Sequence, residues 1–249
     1  MDRWLNKVAV VTGASAGIGA ACVRYLLKNG MIVVGLARRL EVMDSMRAEL
    51  PEEQQTRFHT VRCDVSKEAD ILEAFAWIES KFGGVDVLIN NAGVLSQGMQ
   101  LTMPNNSADM KAIMDTNVLG VAYCTREAFQ SMKKRGVDGH VIMINSIHGH
   151  ILPLVQGMSM NIYPASKHAL TAMTEVLRQE FLLHQTRIKV TSISPGAVDT
   201  GIILGKDKLP LEFPQLRPED IADAVVYCLQ TPPSVQIHEM IIKPIGEMI

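Results

Sequence analysis

The 249-residue chain sets 24 Lys and Arg against 26 Asp and Glu, which leaves no basic excess to neutralise phosphates and argues against a nucleic-acid binder. Its 47% of hydrophobic residues suffices for a packed core and argues against disorder. Four scattered cysteines without a CxxC pair (Cys22, Cys63, Cys124, Cys228) argue against a disulfide scaffold or a zinc site, and no apolar run approaches the ~20 residues of a membrane span, so we expect reduced buried thiols, no metal and a cytoplasmic protein.

In chain order, a short apolar run at 7–11 leads into Thr12-Gly13-Ala14-Ser15-Ala16-Gly17-Ile18-Gly19, where a helix over 17–29 begins. Glycines at that point let the backbone turn tightly and approach a pyrophosphate, and a helix start offers free N–H groups. Ser15, Ala16 and Ile18 share the turn with Gly13, Gly17 and Gly19, and all six are candidate cofactor contacts. A second run at 31–36 ends in Ala37-Arg38-Arg39. An acid there would bind a ribose 2′-hydroxyl; two arginines instead suit a 2′-phosphate, so NADP(H) is the expected dinucleotide.

A helix is expected over 40–50, a strand over 60–63 ending at Asp64-Val65, and a helix over 67–82 closed by Gly83-Gly84. A strand over 85–89 runs into Asn90-Asn91-Ala92-Gly93, and a long helix is expected over 107–135, with Asn117 inside it. Strands over 140–144, 188–193 and 239–242 alternate with helices over 163–184 and 218–230. Continuous rather than alternating apolar strands mean burial on both faces, the mark of a parallel sheet covered by helices. The expected fold is therefore α/β: a single-domain, doubly wound, seven-stranded parallel sheet of the Rossmann type spanning 1–249.

Tyr163 and Lys167 sit at i and i+4 on one helix face. A neighbouring ammonium stabilises tyrosinate, which would lower the phenol from its usual pKa of about 10 and make it a usable base. With the Thr12–Gly19 turn, Asn90-Asn91-Ala92-Gly93, Asn117, Ser146 and Pro195-Gly196, the chain resembles the short-chain dehydrogenase/reductases along essentially its whole length. The resemblance implies that Tyr163 exchanges a proton with the substrate oxygen, that Lys167 holds the nicotinamide ribose, and that Ser146 orients the substrate. It further implies that Asn117 bends its helix and holds a water linking the lysine to solvent. It places Asp64 and Val65 at the adenine, Asn91, Ala92 and Gly93 at the adenosine ribose, and Pro195, Gly196, Val198 and Thr200 at the nicotinamide and diphosphate. Tyr163 and Lys167 thus serve both cofactor and catalysis.

Substrate choice should lie in the loops 94–104, 147–162 and 199–218, which are apolar and rich in methionine. Ser146, His148, Leu152, Met158, Ile202 and Ile203 are the candidate substrate contacts. His148 and His150 follow Ser146 closely, and at least one is expected to be only a loop histidine. The loop Ser146–Leu154 and the short C-terminal tail narrow the resemblance to members that oxidise farnesol-type isoprenoid alcohols, or to relatives that reduce ketosteroids and other carbonyls. A non-catalytic nucleotide-binding scaffold is the remaining alternative. Apolar positions at helical spacing (Val121, Cys124, Ala128, Ala169, Ala172, Val176, Phe181) serve either the core or a second copy, and a homodimer or homotetramer is expected.

Overall fold

The computed structural model describes residues 1–96, 100–152, 159–201 and 214–247. Among them seven strands form one parallel sheet: β1 (Val8–Thr12), β2 (Ile32–Ala37), β3 (Phe58–Arg62), β4 (Val87–Asn90), β5 (His140–Ile144), β6 (Lys189–Pro195) and β7 (Glu239–Ile242), in the order β3-β2-β1-β4-β5-β6-β7. The helices are α1 (Gly17–Lys28), α2 (Leu40–Ala48), α3 (Glu52–Gln55), α4 (Glu68–Phe82), α5 (Ser107–Met114), α6 (Gly120–Arg135), α7 (Tyr163–Leu183) and α8 (Pro218–Gln230).

Side-chain alternation explains why the strands read as unbroken apolar runs. Ala9 and Val11 face a core built with α1, α2 and α8, whereas Val8 and Val10 face a second core built with α4, α6 and α7. Both faces of the central strands are covered, so apolar residues dominate both sides of the pleat. β1 pairs with β2 on one side (Val10 with Val34) and β4 on the other (Val10 with Leu88). The strand order reverses there, and a crevice opens beyond the carboxyl ends of the strands.

The expected single helix over 107–135 is instead α5, a π-helical turn at Asp115–Leu119 and α6. Asn117 lies inside the π turn and is buried, which is how the bend the resemblance implied is realised. β3 starts at Phe58 rather than at 60, because the fully buried Phe58 ring is part of the core. Two short helical pieces were not expected, α3 and a 3₁₀ turn at Asp2–Trp4. The latter buries Trp4, whose Nε1 donates to Leu229 O at 2.8 Å.

Helix ends follow the glycines. Gly83 caps α4 and Gly136 caps α6, both with left-handed backbone. All four cysteines are buried free thiols, and burial raises each well above its usual pKa. No helix among the described residues is long and apolar enough to cross a membrane.

Candidate active site

A cleft of about 640 Å³ opens over the crevice. At one end lies the glycine turn. Gly13 has φ +67, and its backbone folds back so that Gly13 N donates to Leu36 O at 2.8 Å. At Gly19 a Cβ would stand 2.4 Å from Gly13 O and 2.5 Å from Asn91 Nδ2, so only glycine lets the helix start this close to β4. Asn91 Nδ2 donates to Thr12 O at 2.9 Å, and Thr12 Oγ1 accepts from Asn91 N and Ala92 N, both at 3.0 Å. The turn is thereby stitched to the end of β4.

This end has the chemistry of an anion site. Ala16 precedes α1 in extended conformation, no side chain caps the helix, and its first turn holds no acid. The first N–H groups and the positive end of the dipole are left for a ligand. Exposed Arg38 and Arg39 stand over the rim, and Arg39 Nη2 donates to Ser15 Oγ at 3.0 Å. Asp64 and Val65 line the next part of the cleft, where Asp64 Oδ1 accepts from Ser66 N and Oγ in a local turn. These residues fit a dinucleotide with an extra phosphate.

The other end is formed by β5, α7 and β6. A 3₁₀ turn at Ile147–Gly149 follows Ser146, and His148 N donates to Ser146 Oγ at 3.1 Å. The Ser146 side chain also acts on the Tyr163 hydroxyl, favouring its ionised form. Lys167 Nζ lies 5.7 Å from the Tyr163 ring centre and donates to Ile144 O at 3.0 Å. Asn117 connects this end to the loop after β4: its Oδ1 accepts from Val94 N at 2.8 Å, and its Nδ2 donates to Val94 O at 2.9 Å and Ser166 Oγ at 3.1 Å. Ser166 Oγ in turn donates to Tyr163 O at 2.6 Å, so Asn117 and Ser166 fix the first turn of α7 on which Tyr163 rides.

One expectation changes. The phenol was expected below its usual pKa; burial instead pushes Tyr163 up to about 12, against the Ser146 hydrogen bond that lowers it. Lys167 spends its bond on the Ile144 carbonyl, and burial brings its ammonium down to about 8. The Asn117 side chain is held at both ends by protein partners, Val94 and Ser166.

The other expected cofactor residues, among them Gly93, Pro195, Gly196, Val198 and Thr200, line the cleft; Gly19 and Asn117 shape it from behind. Of the substrate candidates, Ser146 and His148 line it. Leu152 is a correction: it is 67% exposed and absent from the lining of the cleft. His150 Nε2 sits 2.9 Å from Ser194 Oγ and 3.1 Å from Glu239 Oε1, which makes it the structural histidine of the pair. Met158, Ile202 and Ile203 lie outside the described residues. Residues the motifs did not single out also enter: Ile147, Met160 and Glu247 line the cleft. Glu247 had no sequence signal, since it arrives from the tail.

A family described as short chain dehydrogenase matches residues 7–207. Farnesol dehydrogenase of Aedes aegypti is 55% identical over 247 residues, 99% of each chain. Dehydrogenase/reductase SDR family member 11 of Homo sapiens is 43% identical over 98% of this chain and 96% of its own. Among solved structures, alcohol dehydrogenase from the archaeon Thermococcus sibiricus complexed with 5-hydroxy-NADP superposes with a TM-score of 0.85 at 28% identity, covering 98% of both chains. The closed form of serine dehydrogenase complexed with NADP+ gives 0.85 at 28%, covering 97% of this chain and 96% of that one.

Proposed function

The chain belongs to the short-chain dehydrogenase family, and from that premise we propose that it interconverts a lipophilic alcohol and its carbonyl compound with NADP(H), a farnesol-type isoprenoid alcohol being the substrate. One observation carries the reading: Ser146, Tyr163 and Lys167 converge at one end of a cleft whose other end is an uncapped helix start flanked by two arginines. In that arrangement the N–H groups at the start of α1 hold the diphosphate, Arg38 and Arg39 the 2′-phosphate, and Asp64 and Val65 the adenine. Asn91, Ala92 and Gly93 pass the adenosine ribose. Pro195, Gly196, Val198 and Thr200 hold the nicotinamide end. When bound, NADP(H) supplies the hydride chemistry.

The protein's own part is proton transfer and orientation. Ser146 presents its hydroxyl to the reacting oxygen beside Tyr163. With its pKa near 12 the phenol is protonated at neutral pH, so it stands ready to give its proton to a carbonyl oxygen. In the oxidising direction Tyr163 must take the alcohol proton as phenolate. The Ser146 hydrogen bond and the Lys167 ammonium, still charged at pH 7, both favour that form. Lys167 also offers its N–H donors to the nicotinamide ribose.

The substrate assignment is supported by the farnesol dehydrogenase relative and by the apolar lining residues Leu95, Ile147 and Met160. A second reading on the same residues is a carbonyl or 17β-hydroxysteroid reductase working with NADPH. Turnover of farnesol with NADP+, run beside a 17-ketosteroid with NADPH, separates them. We expect farnesol oxidation with NADP+ preferred over NAD+; reduction of the ketosteroid with farnesol left untouched would overturn the assignment.

We further read the protein as a cytoplasmic homodimer or homotetramer. Val121, Cys124, Ala128 and Phe181 are spent in the core, while Ala172 and Val176 stay exposed on α7 and are available to a second copy. Light scattering reads the mass directly.

A further inference from the structure

Among the described residues that line the cleft, three buried polar atoms have no hydrogen-bond partner: Asn145 Oδ1, His148 Nδ1 and Glu247 Oε2. The last two come from different elements. His148 stands on the 3₁₀ turn after Ser146, its ring 6.4 Å from that of Tyr163 at 74°. Glu247 is carried back over the end of β6 by a turn after β7, in which Gly246 adopts φ +90 and Glu247 N donates to Pro244 O at 3.2 Å.

The carboxylate is seated. Oε1 accepts from Ala197 N at 3.0 Å, and the side chain lies so close to Gly196 that a Cβ there would meet Oε2 at 2.4 Å. Oε2 remains, in a cleft that Glu247 shares with Ser146, His148 and Tyr163. Burial lowers the pKa of His148, while a hydrogen bond to the Ile151 main chain and then the charge of Glu247 raise it. Leaving buried polar groups unpaired is costly, so such atoms mark where a ligand group is expected.

We propose that His148 and Glu247 form a second polar subsite, which takes a hydroxyl group on the carbon next to the reacting one. The subsite presents a carboxylate oxygen that only accepts and an imidazole nitrogen that, as the N–H tautomer, donates. A hydroxyl satisfies both at once. A carbonyl or ether oxygen cannot donate to Glu247, and an ammonium cannot accept from His148. The subsite then admits vicinal diols, or the matching hydroxy-carbonyl compounds, carrying an apolar chain, as a further substrate class. This rests on the oxidoreductase reading and not on its farnesol assignment, because farnesol has a single hydroxyl and would leave the subsite unfilled.

The test compares octane-1,2-diol with 1-octanol in the wild type, Glu247→Gln and Glu247→Ala. The kcat/KM ratio is read with NADP+. Calorimetric binding of both alcohols is read with the NADP+ complex of Tyr163→Phe, alone and combined with each Glu247 substitution. We expect the wild type to favour the diol by about tenfold, the size of one hydrogen bond to a charged group. Glu247→Ala should bring the ratio near one. Glu247→Gln, which keeps the bond from Ala197 N, should fall between. NADPH affinity, followed by nicotinamide fluorescence, should be the same in all three.

Equal losses for diol and octanol would make Glu247 a tail anchor and overturn the subsite. So would weakened NADPH binding, which would assign Glu247 to the cofactor, or the absence of diol preference in the wild type. Should neither alcohol turn over, the oxidoreductase reading fails separately. The calorimetric ratio in the Tyr163→Phe background then still decides the subsite.

Discussion

The two ends of the cleft differ in how completely their polar groups are spent. At the glycine turn Asn91, Thr12 and Leu36 O are locked into main-chain and side-chain bonds between β1, β2 and β4, and Arg39 already holds Ser15. At the reacting end His148 Nδ1 and Glu247 Oε2 have no partner, Tyr163 holds a pKa near 12, and Lys167 is buried with its ammonium brought down to about 8. The first end is a cradle whose shape is fixed before any ligand arrives. The second stores unpaid electrostatics, which is what a site that moves protons requires.

Variants can break that contrast, the largest effect coming from Tyr163→Phe. It removes the only proton the mechanism moves, and kcat should fall by about 10²–10⁴-fold while NADPH affinity is retained. Turnover above a tenth of wild type would rule out the acid–base role. Next, Arg38→Ala and Arg39→Ala should each weaken NADP+ binding by roughly tenfold, the loss of a charge-assisted bond to phosphate, and leave NAD+ within about twofold. Equal weakening of both dinucleotides in fluorescence titrations would remove the 2′-phosphate argument.

Asn117→Ala tests the link between the two ends. It strips partners from Val94 N, Val94 O and Ser166 Oγ, at a cost of about 1–3 kcal/mol in thermal unfolding, and it should lower kcat because α7 loses its anchor. An unchanged melting curve would mean that the π turn holds itself.

The smallest effect is on pH dependence. Lys167 titrates near 8 when folded and 10.5 is its ordinary value. Between those values the unfolded chain holds a proton that the folded chain has released, so stability rises with pH across that window. Below pH 8 both forms are protonated and the slope vanishes. Lys167→Met should flatten the rise in melting temperature between about pH 8 and 9, leaving the part due to Lys189, which burial also brings to about 8; above pH 9 the four buried thiols act in the opposite sense, because the unfolded chain releases protons that they keep.

Much of this was readable from the chain. The central strands announced themselves because they are buried on both faces, unlike β3 and β7 at the sheet edges, and the glycine turn, Arg38-Arg39 and the Tyr163/Lys167 pair are local patterns whose chemistry depends on neighbours in sequence. The π turn at Asp115–Leu119 was not readable, since the distortion comes from Asn117 bonding to Val94 and Ser166, residues far apart in the chain. His150 could not be told from His148, because their roles are set by Ser194 and Glu239 on β6 and β7. The sign of the Tyr163 shift went the other way because burial is a property of the folded surroundings, not of the i, i+4 spacing.

Local spacing thus determined the fold class and the dinucleotide turn, and it placed Tyr163 and Lys167 on one helix face, since a helix face or a strand-to-helix turn is specified within a few residues. Which groups remain unpaired, how far burial moves the phenol and the ammonium, and that a tail carboxylate faces the reacting end were decided only by packing. Desolvation and hydrogen-bond satisfaction depend on every element that meets at the ends of β5, β6 and β7, and no stretch of sequence contains them all.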